Sequence, residues 1–342
     1  MDEATNLKDI KNWFDKTQNR STIAIALESL LFLIIEVSAL IGNTFVCLAV
    51  YRNRSLRTET HMYILALSIA DLTFAVVFLP LSIGSAMTGE WHYGNVTCAV
   101  QGTALLIWGG FSLILVSLTA LNRYFRVVKP NLYRIFFSKK NTIITMVFAL
   151  LGCIFFFAGI PQFLGVQFHF GPHLFCVPRF PTRELQMACL LSAFALFILT
   201  PMFIIPVCYL KVFRKVRSHE LTVAPALTQK PLYSRVRGFK QGVEEVKINR
   251  VVFAVLVVFF ALWTPVCIIG TLFVFGVFLP RWAHLFYDYL IASTTASNPV
   301  VYGLFNKALR REFGKILKSF SRRNVVGIEA TATSTHHREG TV

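Results

Sequence analysis

Hydrophobic residues along this chain gather into long runs separated by short polar connections. Crossing roughly 30 Å of hydrocarbon takes about 20 helical residues. Seven runs reach that length, at about 23–50, 60–86, 98–122, 141–165, 185–210, 249–278 and 283–305, and they are referred to as spans 1 to 7. Spans 3 to 6 hold almost no Asp, Glu, Lys or Arg, unlike helices of a large soluble protein, which show a polar face to water. Lipid offers no partner to an open backbone N–H or C=O, so each span is predicted to be helical. The runs are also too long for the alternating strands of a membrane barrel. Beyond span 7, residues 306–318 place Leu309, Phe313, Ile316 and Leu317 on one helical face and basic residues on the other, the pattern of a helix lying on a membrane surface. The prediction is an all-α membrane protein: a polar outer segment over 1–22, a seven-transmembrane helix bundle over 23–305, an amphipathic eighth helix over 306–318 and a disordered inner tail over 319–342.

Composition agrees, with 55% hydrophobic residues and a mean hydropathy of +0.59. The formal charge of +17 matters through its distribution. With the amino terminus outside, 27 of the 34 Lys and Arg fall in the inner connections and tail, because basic loops stay in the cytoplasm. That charge meets anionic inner-leaflet lipid, and no nucleic-acid partner is required to explain it. The first 22 residues do not form a cleavable signal, so span 1 is expected to insert uncleaved at the plasma membrane. The sequons at Asn19 and Asn95 lie outside and open to glycosylation, while that at Asn53 lies inside. Five of the seven cysteines, Cys47, Cys153, Cys189, Cys208 and Cys267, sit in spans as small packing residues. Cys98 and Cys176 remain on the oxidising side, where a disulfide would tie the top of span 3 to the loop between spans 4 and 5. His169 and His173 of that loop read as solvated, and the sequence shows neither metal-ligand spacing nor a catalytic motif.

A polar side chain in hydrocarbon is expensive and marks a cavity or an interface. Asn43 in span 1, Asp71 in span 2, Ser112 in span 3 and Asn298 in span 7 are expected to converge on a polar knot around Asp71, which a sodium ion would fit; Trp108, one turn from Ser112, would crowd it. At the inner end of span 3 stand Asn122-Arg123-Tyr124, and at the inner end of span 6 Glu245. An arginine that pairs with a carboxylate in one packing and releases it in another forms a two-state latch. Pro201 with Tyr209 in span 5, Phe259, Trp263 and Pro265 in span 6, and Asn298-Pro299 through Tyr302 in span 7 add hinges, since proline removes a backbone hydrogen bond and kinks the helix.

In this order and on these spans, the motifs resemble the rhodopsin-like (class A) G-protein-coupled receptors over about residues 25–318. The resemblance implies capture of an extracellular small-molecule ligand, rearrangement around Trp263 and Asn298 to Tyr302, outward movement of span 6, and activation of a heterotrimeric G protein. Arrestin would be recruited by phosphorylation of Ser319, Ser321, Thr331, Thr333, Ser334, Thr335 and Thr341. Within the class the chain is most similar to melatonin receptors, through Val50-Tyr51-Arg52-Asn53, Asn122-Arg123-Tyr124 in place of Asp-Arg-Tyr, Ser138-Lys139-Lys140-Asn141 and Tyr302-Gly303-Leu304-Phe305-Asn306.

Ligand positions depart from that branch. Gln162 stands where those receptors have Asn, Phe180 where they have Gln and Phe197 where they have His, and Asn298-Pro299 begins a motif that they write Asn-Ala. Leu105 occupies the place of the carboxylate that amine receptors need, which disfavours an amine ligand, and Ala292 that of the lysine that binds retinal covalently, which excludes retinal attachment by that route. The candidate ligand-binding residues are Gln101, Leu105, Gln162, Phe180, Phe197, Trp263, His284 and Asp288. Asp288 is expected at the mouth, either neutralised by Arg281 or a cationic ligand group, or simply hydrated. The alternatives are a constitutively active or peptide receptor of the same class and, from another class, a transporter, whose inverted repeats are not visible.

Overall fold

The computed structural model describes residues 20–171, 174–227, 257–273, 275, 277 and 279–319. Span 1 is Thr22–Arg52, span 2 is Glu59–Thr88, span 3 Gly94–Val128 and span 4 Lys139–Phe163. Span 5 begins at Arg183 and runs on to Leu227, well past the apolar run. Span 6 is described over Val257–Phe273 and span 7 over Arg281–Phe305. A short helix, Pro130–Phe136, follows span 3, and a final helix covers 307–319. Strands β1 (Gln167–Phe170) and β2 (Cys176–Arg179) pair antiparallel as a hairpin over the outer end of span 3.

Local chemistry sets the boundaries. Ser21, Ser138 and Thr182 cap spans 1, 4 and 5, each hydroxyl accepting from a backbone N–H three residues on. Span 2 breaks at Phe78, two residues before Pro80. Spans 4 and 5 each contain a π-helical turn, Phe155–Gly159 and Phe194–Leu199, two residues before Pro161 and Pro201. The proline lacks an N–H and crowds the carbonyl one turn back, and widening that turn accommodates it. The two widened turns bring Phe157 and Phe197 together, ring centroids 4.7 Å apart.

Among the described residues, spans 1 to 5 are long and apolar enough to cross a membrane by length and composition. Span 7 is more polar because it turns His284, Asp288, Thr294 and Thr295 inward, where all four are buried. The apolar interior falls into three clusters. The outer one includes Phe74, Trp108, Phe175 and Ile291, the middle one Leu67, Phe157, Phe197 and Tyr209, and the inner one Val46, Tyr302, Leu309 and Ile316. Lipid tails are as apolar as these side chains, so close packing holds the bundle together. Gly42 shows it: a Cβ there would stand 2.6 Å from that of Pro299, so span 7 approaches span 1 only because the side chain is missing.

Two acids of span 1 lay hidden in its hydropathy. Glu28 accepts from Arg20 at 2.9 Å and from both terminal nitrogens of Arg281, while the Tyr289 hydroxyl donates to the Glu28 carbonyl. Arg20 also donates to the Ala86 carbonyl, so this clasp joins the outer ends of spans 1, 2 and 7. Glu36 is partly buried midway along span 1, with no hydrogen-bond or ion-pair partner among the described residues.

The helix over 307–319 buries Leu309 and Ile316 fully and sets Phe313 against Phe45, while Leu317 remains exposed. Glu312 accepts from Asn53 and Lys315, which fastens this helix to the end of span 1. The Lys315 hydrogen bond, and then that of Asn53, hold the Glu312 carboxyl below the usual carboxylate range.

Candidate functional site

The outer chamber is built around the loop between spans 4 and 5. Cys98 and Cys176 form the expected disulfide. Gln101, fully buried, donates through Nε2 to Ser82 Oγ at 3.2 Å and accepts through Oε1 from the Cys176 N–H at 3.1 Å. Asp288 is also fully buried, and its Oδ2 accepts from the Leu174 N–H at 2.8 Å. This corrects the expectation of a carboxylate hydrated at the mouth or neutralised by Arg281: a loop amide meets Asp288, and Arg281 is committed to Glu28. Gly102 lets the hairpin close on span 3, since a Cβ there would overlap the Phe168 ring and lie 2.7 Å from the Cys176 carbonyl oxygen.

Held this way, the loop sends Leu174 and Phe175 into the bundle, where they are 8% and 1% exposed. They belong to the outer apolar cluster, against which Leu105 and Trp263 pack. His284 is buried with its ring edge-on to Phe273, and Phe180 is partly buried just after β2. Phe197 lies deeper, against Phe156 and Phe157. Gln162 stands exposed at the end of span 4, apart from this group, and Asn95 is exposed in the first turn of span 3. His169 is exposed in β1; partial desolvation of its ring and then Arg179 press its imidazole below the ordinary value.

Beneath the chamber, the knot at Asp71 forms with different partners from those expected. Trp108 Nε1 donates to Asp71 Oδ1 at 3.1 Å and Asn298 Nδ2 to Oδ2 at 3.0 Å. Trp108 thus supplies the contact expected of Ser112 or Asn43. The Asn43 amide instead donates to the Ala39 and Thr295 carbonyls, both at 2.9 Å, and Ser112 Oγ is buried without a hydrogen-bond partner among the described residues. A cavity of about 30 Å³ adjoins the knot, lined by Asp71, Trp108, Ser112, Trp263 and Asn298, room for roughly two waters.

At the inner end, Asn122 is buried and accepts from Thr60 Oγ1 at 2.7 Å, so it ties span 3 to span 2. Arg123 lies within electrostatic range of Tyr209 and Tyr302, and Lys211 stands 5.7 Å from the Tyr124 ring centroid. Glu245, Asn19, His173 and the tail beyond residue 319 lie outside the described residues.

Seven spans, a disulfide-tethered outer loop and a buried carboxylate joined to a proline-bearing seventh span define a heptahelical membrane receptor. The chain matches the model of the 7 transmembrane receptor (rhodopsin family) over residues 42–302, and it belongs to that family. It is similar to the melatonin receptor type 1A of Mus musculus, 26% identical over 316 residues covering 91% of this chain and 85% of that receptor. Similarity to the melatonin receptor type 1C of Xenopus laevis is 23% over 310 residues, covering 89% and 70%. The crystal structure of squid rhodopsin shares the fold, with a TM-score of 0.75 at 20% identity over 88% of each chain.

Proposed function

We propose that this G-protein-coupled receptor responds to a small, uncharged, largely apolar ligand that enters the chamber from outside. The carrying observation is that the chamber's buried polar groups, Gln101 and Asp288, are engaged by the loop backbone, while Leu105, Trp263 and the aromatic cluster form the remaining wall. Both polar groups already hold loop N–H donors, so an apolar ligand enters without having to satisfy them. Melatonin, from which these relatives take their name, is one candidate, and Gln162, Phe180 and Phe197 argue for a different relative of it.

Ligand pressure on Trp263 and Trp108 would reach Asp71 and Asn298, flex span 7 at Pro299 and move Tyr302 against Arg123, opening the inner face to a heterotrimeric G protein. With N–H donors on both carboxylate oxygens of Asp71, we assign the adjoining cavity to water in place of a sodium ion. The basic inner loops and the disulfide support an amino terminus outside and a receptor at the plasma membrane, with Asn95 open to glycosylation and the tail to arrestin.

A screen of neutral aromatic and lipid-like compounds, melatonin included, read by nucleotide exchange on several G-protein subtypes, tests this reading; responses confined to cationic amines would overturn it. Arg123→Ala is expected to reduce exchange about tenfold or more at unchanged surface level, and full exchange by that variant would remove Arg123 from the coupling route.

A further inference from the structure

The geometry points to the receptor's own outer loop as the resident occupant of its ligand chamber: Leu174 and Phe175 fill the space and, through Phe74 and Trp108, hold the Asp71–Asn298 contact that restrains span 7. The inference rests on the receptor reading above.

Phe175 is only 1% exposed and shares one apolar cluster with Trp108, Val266 and Ile291, against which Leu105 and Trp263 pack. Those last two are residues that an external ligand would have to touch. The backbone on either side of Phe175 is clamped: the Leu174 N–H goes to Asp288 of span 7, the Cys176 N–H to Gln101 of span 3, and the Cys176 sulfur to Cys98. Two fully buried side chains from different spans thus serve loop amides. A loop lifted away would leave both acceptors stripped of those donors in an apolar chamber, which is strongly unfavourable.

Contacts continue inward without a gap. The Phe175 and Phe74 rings lie 6.1 Å apart, and Phe74 stacks on Trp108 at 4.3 Å and 19°. The Trp108 indole donates to one oxygen of Asp71 and Asn298 donates to the other. Pro299 is the next residue in the chain. Any swing of span 7 at that proline pulls Asn298 from Asp71, so whatever seats Trp108 also resists the swing. Phe175 seats it. The loop is therefore a built-in restraint on the resting state, and an external ligand acts by displacing Leu174 and Phe175. Its apparent affinity is reduced by the fraction of receptors in which the pair is already out.

The test uses the full-length receptor in nanodiscs without added ligand, with two readouts: hydrogen exchange at the Leu174 and Cys176 amides, and basal nucleotide exchange per receptor. In the wild type both amides should be protected. Asp288→Ala should speed exchange at Leu174 about tenfold and raise basal nucleotide exchange roughly fivefold. Asp288→Asn, whose amide oxygen still accepts, should leave exchange at the Leu174 amide near wild type. Phe175→Ala should raise basal exchange similarly, and adding Trp108→Phe should produce no further rise, the non-additivity expected of one pathway. Unprotected loop amides in the wild type would overturn the proposal without reference to any variant's folding. So would a loop freed by Asp288→Ala with unchanged basal exchange, or a fall in basal exchange with Phe175→Ala; absence of ligand responses in the compound screen, with these results intact, would count against the proposed ligand class alone.

Discussion

Trp108 and Phe175 illustrate how residue roles diverge from residue types. Read along the chain, Asp71 attracts other polar residues as partners, and Asn298 is indeed one. The second partner is an indole N–H, because Trp108 projects from span 3 at the same depth, while Asn43 is drawn away by carbonyls of spans 1 and 7. Gly102→Ala would force the Phe168 ring and the Cys176 carbonyl outward. A loss of about 1–3 kcal/mol is expected, measured as a lower melting temperature in nanodiscs, together with faster hydrogen exchange in the hairpin. Glu36 poses the opposite case, an acid within an apolar span that lacks a described partner. Glu36→Leu should stabilise the receptor in lipid by roughly 1–3 kcal/mol, and a melting temperature that stays level or drops would show that the acid has a partner in the membrane.

At the scale of elements, prolines shape the spans and polar side chains join them. The π-helical turns of spans 4 and 5 precede Pro161 and Pro201 and explain why Phe197, at a candidate ligand position, packs into an aromatic wall with Phe156 and Phe157. The final helix depends on Glu312, which takes hydrogen bonds from Lys315 and Asn53. Its carboxyl is depressed in the folded state, so its stabilising contribution is present above the ordinary value of 4.5 and is lost as pH falls through the lower folded value. Acidification below 4.5 should progressively loosen the helix from span 1, seen as rising mobility of a spin label at exposed Leu317. Glu312→Gln should make that label mobile at neutral pH and remove most of the dependence on acid.

For the whole molecule, the clasp at Glu28 and the knot at Asp71 join spans far apart in sequence, one at the outer rim and one within the bundle. Glu28 and Arg20 are largely shielded from solvent, so salt should screen their pair little. Glu28→Gln should lower stability by about 2 kcal/mol or more, since it leaves two guanidinium groups short of their acceptor; thermal unfolding at low and high ionic strength checks both the loss and its insensitivity to salt.

Hydropathy and charge asymmetry determined the spans, their helical state, the expected orientation and the disulfide, because lipid imposes backbone pairing and length on any crossing segment whatever its neighbours. Pro201 likewise announced the departure from regular helix in span 5. Partnership between spans was decided only in three dimensions. Arg281 reaching Glu28 instead of Asp288, Asp288 holding a loop amide, and Leu174 with Phe175 filling the chamber all depend on helix rotation, depth and loop path, none of which local pattern encodes. Glu28 and Glu36 were masked by the apolar residues around them, since an average over a span hides the single charged group whose position matters most.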